Sequence, residues 1–382
     1  MTALPRTDIS IFGRWWWTVD RWTLSALLAV SAIGIVLTMA ASPAVADRLD
    51  LDAFHFIRRQ FLFIPLSFAI LIGVSLLNPA GVRRLAVLGF IISVIGLGMT
   101  LFIGQEIRGA ARWISLPGFS LQPSEFVKPC FAVVAAWMFS QWRIKGDIPG
   151  HAVAIALYAL VVGLLLLQPD VGMTILISVV WGVQFFLAGL PMLLVLGIGI
   201  LFIAGGIGAY SNFAHVQIRV DRFLDPAGGE AYQVARSLEA VVAGGIFGRG
   251  PGEGEVKSIL PDAHADFIFA VAAEEFGLVT GLLIVALFAF IVLRGFALVM
   301  RETDLFVQLA VAGLLVQFGL QALINMASTI NLMPTKGMTL PFISYGGSSM
   351  AAMALGMGMV LALTRERPRA NDLSRFTGRG AP

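Results

Sequence analysis

Long runs of apolar residues constrain this chain more than any other feature of its sequence. Ten runs occur, at residues 23–42, 59–78, 84–105, 124–142, 151–168, 171–189, 191–210, 267–294, 303–329 and 343–364. An α-helix needs roughly 20 apolar residues to cross a bilayer. Inside a bilayer the backbone must satisfy its own hydrogen bonds, and runs of this length favour helices over barrel strands. The sequence therefore predicts an all-α polytopic membrane protein with about ten transmembrane helices.

The composition agrees with an integral membrane protein and excludes several other classes. Hydrophobic residues make up 58% of the 382 positions and charged residues 13%, whereas soluble domains have about 25% charged residues. The formal net charge is +3, and Cys130 is the only cysteine. We therefore expect no nucleic-acid partner, no internal disulfide and no cysteine metal site. Because the first apolar run is long and leads on to further spans, we expect a retained anchor rather than a cleaved signal peptide.

The distribution of Lys and Arg predicts the orientation of the chain. Short loops and tails on one side carry more of these residues than those on the other, and the richer side is expected to face the cytoplasm. Both termini are then cytoplasmic. The predicted organisation is a cytoplasmic tail at 1–22, transmembrane helices at 23–210, one large periplasmic loop at 211–265, transmembrane helices at 266–365 and a cytoplasmic tail at 366–382.

One carboxylate, Asp266, stands where the long loop ends and the eighth apolar run begins. Phe267, Ile268 and Phe269 follow it at once, which places it at the mouth of the bilayer. Ionisable groups at that depth are costly and usually belong to a functional site, and a carboxylate there could act as a general base. The simpler interpretation is an acid that complements a helix dipole or stays solvated.

Other polar residues lie close to Asp266 in the sequence. His264 precedes it by two positions, and Glu274 and Glu275 follow inside the apolar run. At about 100° per residue, Glu274 lies about 80° from Asp266 around a helix, and Glu275 about 180°. Glu274 is therefore predicted to lie nearer the Asp266 face. Two adjacent acids within a span are hard to explain by packing alone.

A second polar group opens the fourth apolar run, in the segment QPSEFVKP at 122–129. Glu125 and Lys128 are three residues apart, so they share one helix face and can form an ion pair. The pair is either purely structural or shapes a cavity that faces the site. Gln122 and Ser124 belong to the same segment.

Polar residues also stand at the ends of other apolar runs. Asp170, in the tight break QPD at 168–170, is predicted to lie on the same membrane side as Asp266, and a turn acid is its simpler interpretation. Lys336 is the only basic residue between the ninth and tenth runs; it either offsets phosphate charge on a lipid headgroup or snorkels to the interface. The last run opens with polar and small residues that allow close helix approach, among them Ser344, Tyr345 and Ser348.

The large loop contains two unusual stretches. The first, AYQVARSLEAVVAGGIF, is amphipathic, so it could lie on the membrane surface. The glycine-rich GRGPGEGE follows it, and because these glycines do not follow a strand they are not a dinucleotide fingerprint. The sequence has no P-loop, no GxSxG motif and no His/Cys metal spacing.

Five segments occur together in a recognisable order. They are ARWISLPGFSLQPSEFVKP, LQPDVGMT, YQVARSLEAVVAGGIFGRG, HADFIFAVAAEEFGLVTG and LMPTKGMTLPFISYGGSS. With them the chain resembles the SEDS family (shape, elongation, division and sporulation), from residue 20 to residue 365. The forms GFSLQPSE and LMPTKGMTLPFISYGGSS resemble the cell-division branch of that family more than its cell-elongation branch.

The resemblance implies a ten-helix peptidoglycan glycosyltransferase. Such an enzyme polymerises lipid II into β-1,4 glycan strands for septal cell-wall synthesis in cell division and releases undecaprenyl pyrophosphate. The family's essential Asp matches Asp266. Here HAD stands where many relatives have HTD, so Ala265 departs mildly from the pattern without affecting the match of Asp266.

The resemblance and the residue patterns together define the candidate site. Asp266 is the expected catalytic base. The candidate substrate-binding or cavity residues are Arg112, Trp113, Gln122, Ser124, Glu125, Lys128, Asp170, Gln233, His264, Glu274, Lys336, Ser344, Tyr345 and Ser348. Among these, the conserved Glu, Lys and Arg-Trp of the family match Glu125, Lys128, Arg112 and Trp113.

The resemblance also implies a setting and partners. These are the bacterial inner membrane at the division septum, the lipid II substrate, surrounding membrane lipids, a class B penicillin-binding protein transpeptidase and other divisome proteins. No cofactor is assigned. The pyrophosphate charge needs a partner, and Arg112, Lys336, Arg249 and a divalent cation (Mg²⁺ or Mn²⁺) are left open.

Three other functions stay open at this stage. They are a lipid II flippase, a non-catalytic divisome scaffold and the polymerase of cell elongation. A flippase needs polar groups through the full depth of the membrane. The polar candidates here gather on one side, which favours an enzyme that acts on a delivered substrate.

Overall fold

The computed structural model describes residues 10–107, 110–116, 119–145, 149–189, 192–212, 214, 216–218, 221, 229–334 and 337–366. Within these ranges the helices are α1 (Ile11–Thr18), α2 (Arg21–Arg48), α3 (His55–Ser75), α4 (Pro79–Ile103), α5 (Pro123–Lys145), α6 (Gly150–Leu167), α7 (Val171–Leu187), α8 (Met192–Asn212), α9 (Gly229–Gly244), α10 (Ile268–Val299), α11 (Leu305–Thr329) and α12 (Gly347–Leu363). Strands β1 (Gln105–Ile107), β2 (Ala110–Leu116) and β3 (Phe119–Leu121) form an antiparallel sheet in the order β1-β2-β3.

The predicted apolar runs correspond to helices of the structure. Each run overlaps one of α2 to α8 or α10 to α12. Among the described residues, six helices (α2, α3, α4, α6, α10 and α11) are long and apolar enough to cross a membrane, and α7 and α12 are shorter apolar helices. The helical membrane-protein class is therefore confirmed, while the number of crossings and their orientation stay predictions. The all-α prediction missed the small sheet, which lies in the Gly- and Pro-rich segment before α5.

The centre of the bundle is formed by α5, α11 and α12. Helix α5 packs against α4 and α11, and α12 packs against α3. Most side chains of α11 are buried. By contrast, Leu88, Ile91 and Ile95 of α4 are exposed, as expected for a helix whose outer face meets lipid.

The chain between α11 and α12 contains a non-helical segment, residues 337–346, which we call the linking segment. Much of it is buried: Phe342 is 2% exposed and Ile343 is 0% exposed. Gly34 of α2 packs directly on it, since a Cβ at this glycine would lie 2.6 Å from the Phe342 carbonyl oxygen. Irregular backbone among transmembrane helices is tolerated only where the surrounding protein satisfies its polar groups.

Helix α10 is broken at Gly277, where φ is 77° and ψ is −177°. The stretch that follows α9 fills the break. The Leu278 N–H donates to the Gly245 carbonyl at 2.9 Å, and the Val279 N–H donates to the Ile246 carbonyl at 3.3 Å. A Cβ at position 277 would lie 2.3 Å from the Ile246 carbonyl oxygen. Both the positive φ and this close approach therefore require glycine.

Gly277→Ala is expected to destabilise the protein, because alanine must adopt a backbone conformation that costs about 1–3 kcal/mol and its Cβ overlaps a carbonyl oxygen. Thermal unfolding of the detergent-purified variant, followed by tryptophan fluorescence, should show a lower Tm. Gly163→Ala in α6 is the matched control, since nothing lies within 4 Å of its added Cβ. Equal Tm values for the two variants would contradict the prediction.

Candidate active site

Asp266 lies in a tight turn directly before α10, at one end of the bundle. Its N–H donates to the Asp262 carbonyl at 3.0 Å, and Asp262 has a left-handed φ of 53°. The Asp266 residue is half-buried. Its Oδ2 lies 3.4 Å from where a Cβ would stand on Gly337. The structure thus places the Asp266 carboxylate beside the start of the linking segment.

The backbone that carries Asp266 is held through hydrogen bonds to three of its consecutive carbonyls, at positions 264–266. The Tyr345 N–H donates to the first at 3.0 Å, the Ser344 hydroxyl to the second at 2.6 Å, and the Asn325 side-chain amide to the third at 2.8 Å. The same amide group donates to the Met338 carbonyl at 2.6 Å. Because α11 and the linking segment supply all three donors, they determine where the carboxylate can be.

His264 packs in an aromatic cluster beside this turn. Its ring centroid lies 4.4 Å from that of Phe56 and 5.3 Å from that of Tyr345. Burial lowers the pKa of His264 to about 4, although the Asp262 charge acts in the opposite direction. The imidazole is therefore neutral near neutral pH and adds no positive charge next to Asp266.

Glu125 and Lys128 form the predicted ion pair in the first turns of α5, at 2.9 Å. Both are buried, at 4% and 2% exposed. The Lys128 ammonium also donates to the Gln321 side chain at 2.7 Å, and Gln321 donates to the Thr339 carbonyl at 3.0 Å. The ion pair is thus connected to the linking segment, the same element that contacts Asp266.

Ser348 connects the small sheet to the start of α12. Its hydroxyl accepts from the Gln122 N–H at 3.3 Å and donates to the Ser120 carbonyl at 2.9 Å. Ser124, which follows Gln122 by two residues, is buried, with 1% of its surface exposed. The structure therefore places these predicted site residues at the joint between β3, α5 and α12.

Arg112 and Asp170 are neighbours, although they are far apart in the sequence. The Arg112 Nε lies 3.5 Å from Asp170 Oδ2, and its guanidinium donates to the Pro169 carbonyl at 2.8 Å. Asp170 also caps α7 by accepting from the Met173 N–H at 3.3 Å. Trp113 follows Arg112 on β2 and is half-buried. Arg112 therefore already has an acidic partner in this structure.

The helical period predicts that Glu274 lies near the Asp266 face of one continuous helix. The structure does not have that arrangement. Asp266 belongs to a turn, so the helical angle between the two residues does not apply. Glu274 is fully buried, and its carboxylate accepts backbone N–H groups of Val256 at 2.7 Å and Lys257 at 2.9 Å. Glu275 forms an ion pair with the Lys257 ammonium. Both acids therefore attach the loop that leads to Asp266 onto α10.

Gln233 and Lys336 are the remaining predicted residues. Gln233 lies in α9 and is half-buried. Helix α9 packs on α10, and its Ser237 hydroxyl donates to the Thr329 carbonyl at 2.8 Å. Lys336 lies outside the described residues.

The structure also brings to the site residues that the sequence analysis did not assign. The Arg48 guanidinium donates to a backbone carbonyl, that of residue 260, at 2.7 Å, and Arg59 lies beside the Tyr345 hydroxyl. Gln321 and Asn325 could have been found from their four-residue spacing in an apolar run, which places two amides on one helix face. No local pattern links Arg59 to Tyr345.

Glu274→Gln is expected to lower the Tm. A glutamine offers one acceptor oxygen to two N–H donors, and leaving a buried N–H unpaired costs about 1–3 kcal/mol. Thermal unfolding in detergent measures the effect. Glu253→Gln is the matched control, because Glu253 is exposed in the same glycine-rich stretch and its replacement should leave the Tm unchanged. The prediction is wrong if Glu274→Gln unfolds at the temperature of the parent.

Stability is expected to fall as the pH is lowered through the range in which His264 titrates. The ordinary pKa is 6.5 and the folded value is about 4, so between these values the unfolded chain binds more protons than the folded one. The contribution of His264 to stability is fully present above its unfolded-state pKa of 6.5. It is lost as the pH falls toward its folded-state pKa of about 4. His264→Asn should show a shallower decline of Tm with acid than the parent, and an unchanged slope would contradict the prediction.

Comparisons with known proteins identify the family of this chain. The family model of FtsW, RodA and SpoVE, described as cell cycle protein, matches residues 21–369. The chain is 46% identical to the probable peptidoglycan glycosyltransferase FtsW of Caulobacter vibrioides over 379 residues, which is 99% of this chain and 97% of that protein. It is 34% identical to the probable peptidoglycan glycosyltransferase FtsW of Trichlorobacter lovleyi over 349 residues, which is 89% of this chain and 92% of that protein.

Solved structures share the fold. A chain described under structural coordination of polymerization and crosslinking by a peptidoglycan synthase complex matches with a TM-score of 0.76 and 28% identity, covering 91% of this chain and 97% of that one. The rod shape determining protein RodA of Thermus thermophilus matches with a TM-score of 0.66 and 27% identity, with the same two coverages of 91% and 97%. The resemblance seen in the sequence is thus confirmed: this chain is a glycosyltransferase that belongs to the FtsW/RodA/SpoVE family.

Proposed function

We propose that this protein polymerises lipid II into β-1,4-linked glycan strands for septal cell-wall synthesis, with Asp266 as the catalytic base. The observation that carries the proposal is a half-buried carboxylate at the entry of α10 whose backbone is held by three hydrogen bonds from α11 and the linking segment. The names of the relatives from Caulobacter vibrioides and Trichlorobacter lovleyi support both the reaction class and the division role.

The reaction begins with a proton transfer. Asp266 takes the proton of the acceptor's GlcNAc 4-hydroxyl, and that oxygen attacks the anomeric carbon of the donor MurNAc. The bond from the anomeric carbon to the pyrophosphate breaks as the new bond forms, so the configuration inverts to β. Undecaprenyl pyrophosphate leaves with the electron pair. Holding the base in one position favours this step, because a well-oriented group needs no further ordering when the substrates arrive.

Cationic side chains are proposed to stabilise the negative charge of the leaving pyrophosphate. Arg59 is exposed and lies beside Tyr345, so it is available to a phosphate near the site. Arg112 and Arg249 are less suited, because each already pairs with a carboxylate. Lys336 remains a second candidate from the sequence. Among the described residues, no group of three or more His, Cys, Asp or Glu side chains is arranged to hold a metal ion.

The proposal includes a placement in the membrane and a partner. The Asp266 end of the bundle faces the periplasm in the bacterial inner membrane, and both termini are cytoplasmic, as the Lys and Arg distribution predicts. The segment 211–265 then lies outside, with α9 against the outer surface. The related chain described with a peptidoglycan synthase complex that couples polymerization to crosslinking supports a class B penicillin-binding protein transpeptidase as partner, alongside other divisome proteins.

Asp266→Asn is expected to reduce glycan synthesis by roughly 100-fold or more, since a positioned general base contributes about that much. Wild-type and variant proteins, each purified with the cognate transpeptidase, are incubated with labelled lipid II, and chain products are resolved on gels. Asp262→Asn is the matched control, because it changes a carboxylate of the same turn and asparagine tolerates the left-handed backbone there. It should retain polymerisation.

Two outcomes would contradict the proposal. One is an Asp266→Asn protein with the parent Tm that polymerises at the parent rate. The other is a wild-type complex that transfers labelled lipid II across vesicle bilayers without making chains, which would favour the flippase. Parallel polymerisation and lipid-scrambling assays on the same preparations separate these cases.

A further inference from the structure

A polar cavity of about 320 Å³ lies between α1, the start of α2, the end of α10 and the residues after α12. Its lining includes Trp17, Arg21, Trp22, Arg294, Arg301 and Glu366. Asp266 lies in the turn before α10, whereas Arg294 lies near the other end of that helix, beyond the break at Gly277. From Leu278 to Arg294 alone, the helix rises roughly 24 Å at about 1.5 Å per residue. The cavity is therefore at the opposite end of the bundle from the candidate active site, and on the predicted cytoplasmic face.

Positive charge accumulates around this cavity. Its charged lining consists of Arg21, Arg294 and Arg301 together with Asp20 and Glu366. Asp20 is already occupied, because the Arg294 guanidinium donates to its two oxygens at 2.8 Å and 2.5 Å. Two further arginines, at positions 14 and 365, lie close enough to repel each other. An anion would relieve this excess of positive charge.

The tryptophans indicate where that anion comes from. Trp22 is 67% exposed, and the Arg21 guanidinium lies 5.3 Å from the centre of the Trp17 ring. Tryptophan is enriched at the headgroup level of bilayers, and basic pockets between transmembrane helices on the cytoplasmic side bind acidic lipid headgroups. These features favour an anion of the bilayer over a soluble one.

We propose that this cavity binds the headgroup of an anionic phospholipid from the surrounding bilayer. Arg21 and Arg301 hold the phosphodiester, and Trp17 and Trp22 contact the glycerol and the upper acyl chain. Glu366 offsets one positive charge, so a singly charged phosphodiester is favoured over a phosphate monoester. The volume is at the lower end of the range of small-molecule sites, which suits a headgroup.

The Asp20–Arg294 ion pair connects the proposed lipid site to the packing of α2 against α10. Asp20 caps α2, where its carboxylate accepts the Thr23 N–H at 3.0 Å, and Arg294 belongs to α10. A bound headgroup would therefore lie against the contact that joins these two helices. This inference does not depend on Asp266 or on the reaction proposed for it.

The test is lipid binding by the full-length protein in detergent, measured by native mass spectrometry with short-chain phosphatidylglycerol and phosphatidylcholine. The double variant R21Q/R301Q removes two exposed arginines and should bind phosphatidylglycerol roughly tenfold more weakly than the parent. Arg84→Gln is the matched control, because Arg84 is an exposed arginine at the start of α4 on the same predicted membrane face. It should bind as the parent does.

Three results would overturn the proposal. They are phosphatidylglycerol binding no stronger than phosphatidylcholine binding, a double variant that binds phosphatidylglycerol as well as the parent, and an equal loss in Arg84→Gln. Glycerophosphoglycerol, the soluble phosphodiester headgroup of phosphatidylglycerol, distinguishes the source of the anion. Failure to displace the lipid supports a bilayer ligand, whereas full displacement at matching affinity would identify a soluble anion site instead.

Discussion

Hydrogen bonding to non-helical backbone inside an apolar bundle is the constraint on which the rest of this structure depends. Leaving one buried backbone group unpaired costs about 1–3 kcal/mol, and two irregular stretches are built into the bundle. The linking segment is held by Gln321, Asn325 and Ser344. The break at Gly277 is filled by the backbone that directly follows α9. Each of these partners is therefore needed for the irregular backbone to persist.

The same constraint organises the candidate site. The linking segment contacts the turn that carries Asp266 on one side and the Lys128–Gln321 connection on the other. A buried ion pair such as Glu125–Lys128 is not by itself stabilising, because desolvation opposes the attraction. Its hydrogen bond to Gln321 makes it part of the support for the linking segment. The linking segment thus connects the turn that carries Asp266 with the ion pair.

The two ends of the bundle differ in their electrostatics. At the Asp266 end, the acids Glu274 and Glu275 are buried against backbone N–H groups and Lys257, and His264 is neutral near neutral pH because burial lowers its pKa. The Asp266 carboxylate therefore has no imidazolium beside it. At the other end, arginines outnumber the acids that line the cavity. The proposed catalytic site and the proposed lipid-binding cavity therefore lie at ends of the bundle that differ in charge.

The sequence by itself determined the helices, the family and the short-range pairs. Apolar runs predict helices because a bilayer leaves the backbone no other partner, and the Glu125–Lys128 pair follows from a three-residue spacing within one helix. Only the tertiary structure decided the partners of Arg112, Arg59 and Glu274. Those contacts join residues far apart in the chain. The turn before α10 and the break at Gly277 also change where side chains lie relative to one another, so a helical period does not predict their positions. Long-range packing, which no local pattern encodes, therefore placed the Asp266 carboxylate beside the linking segment.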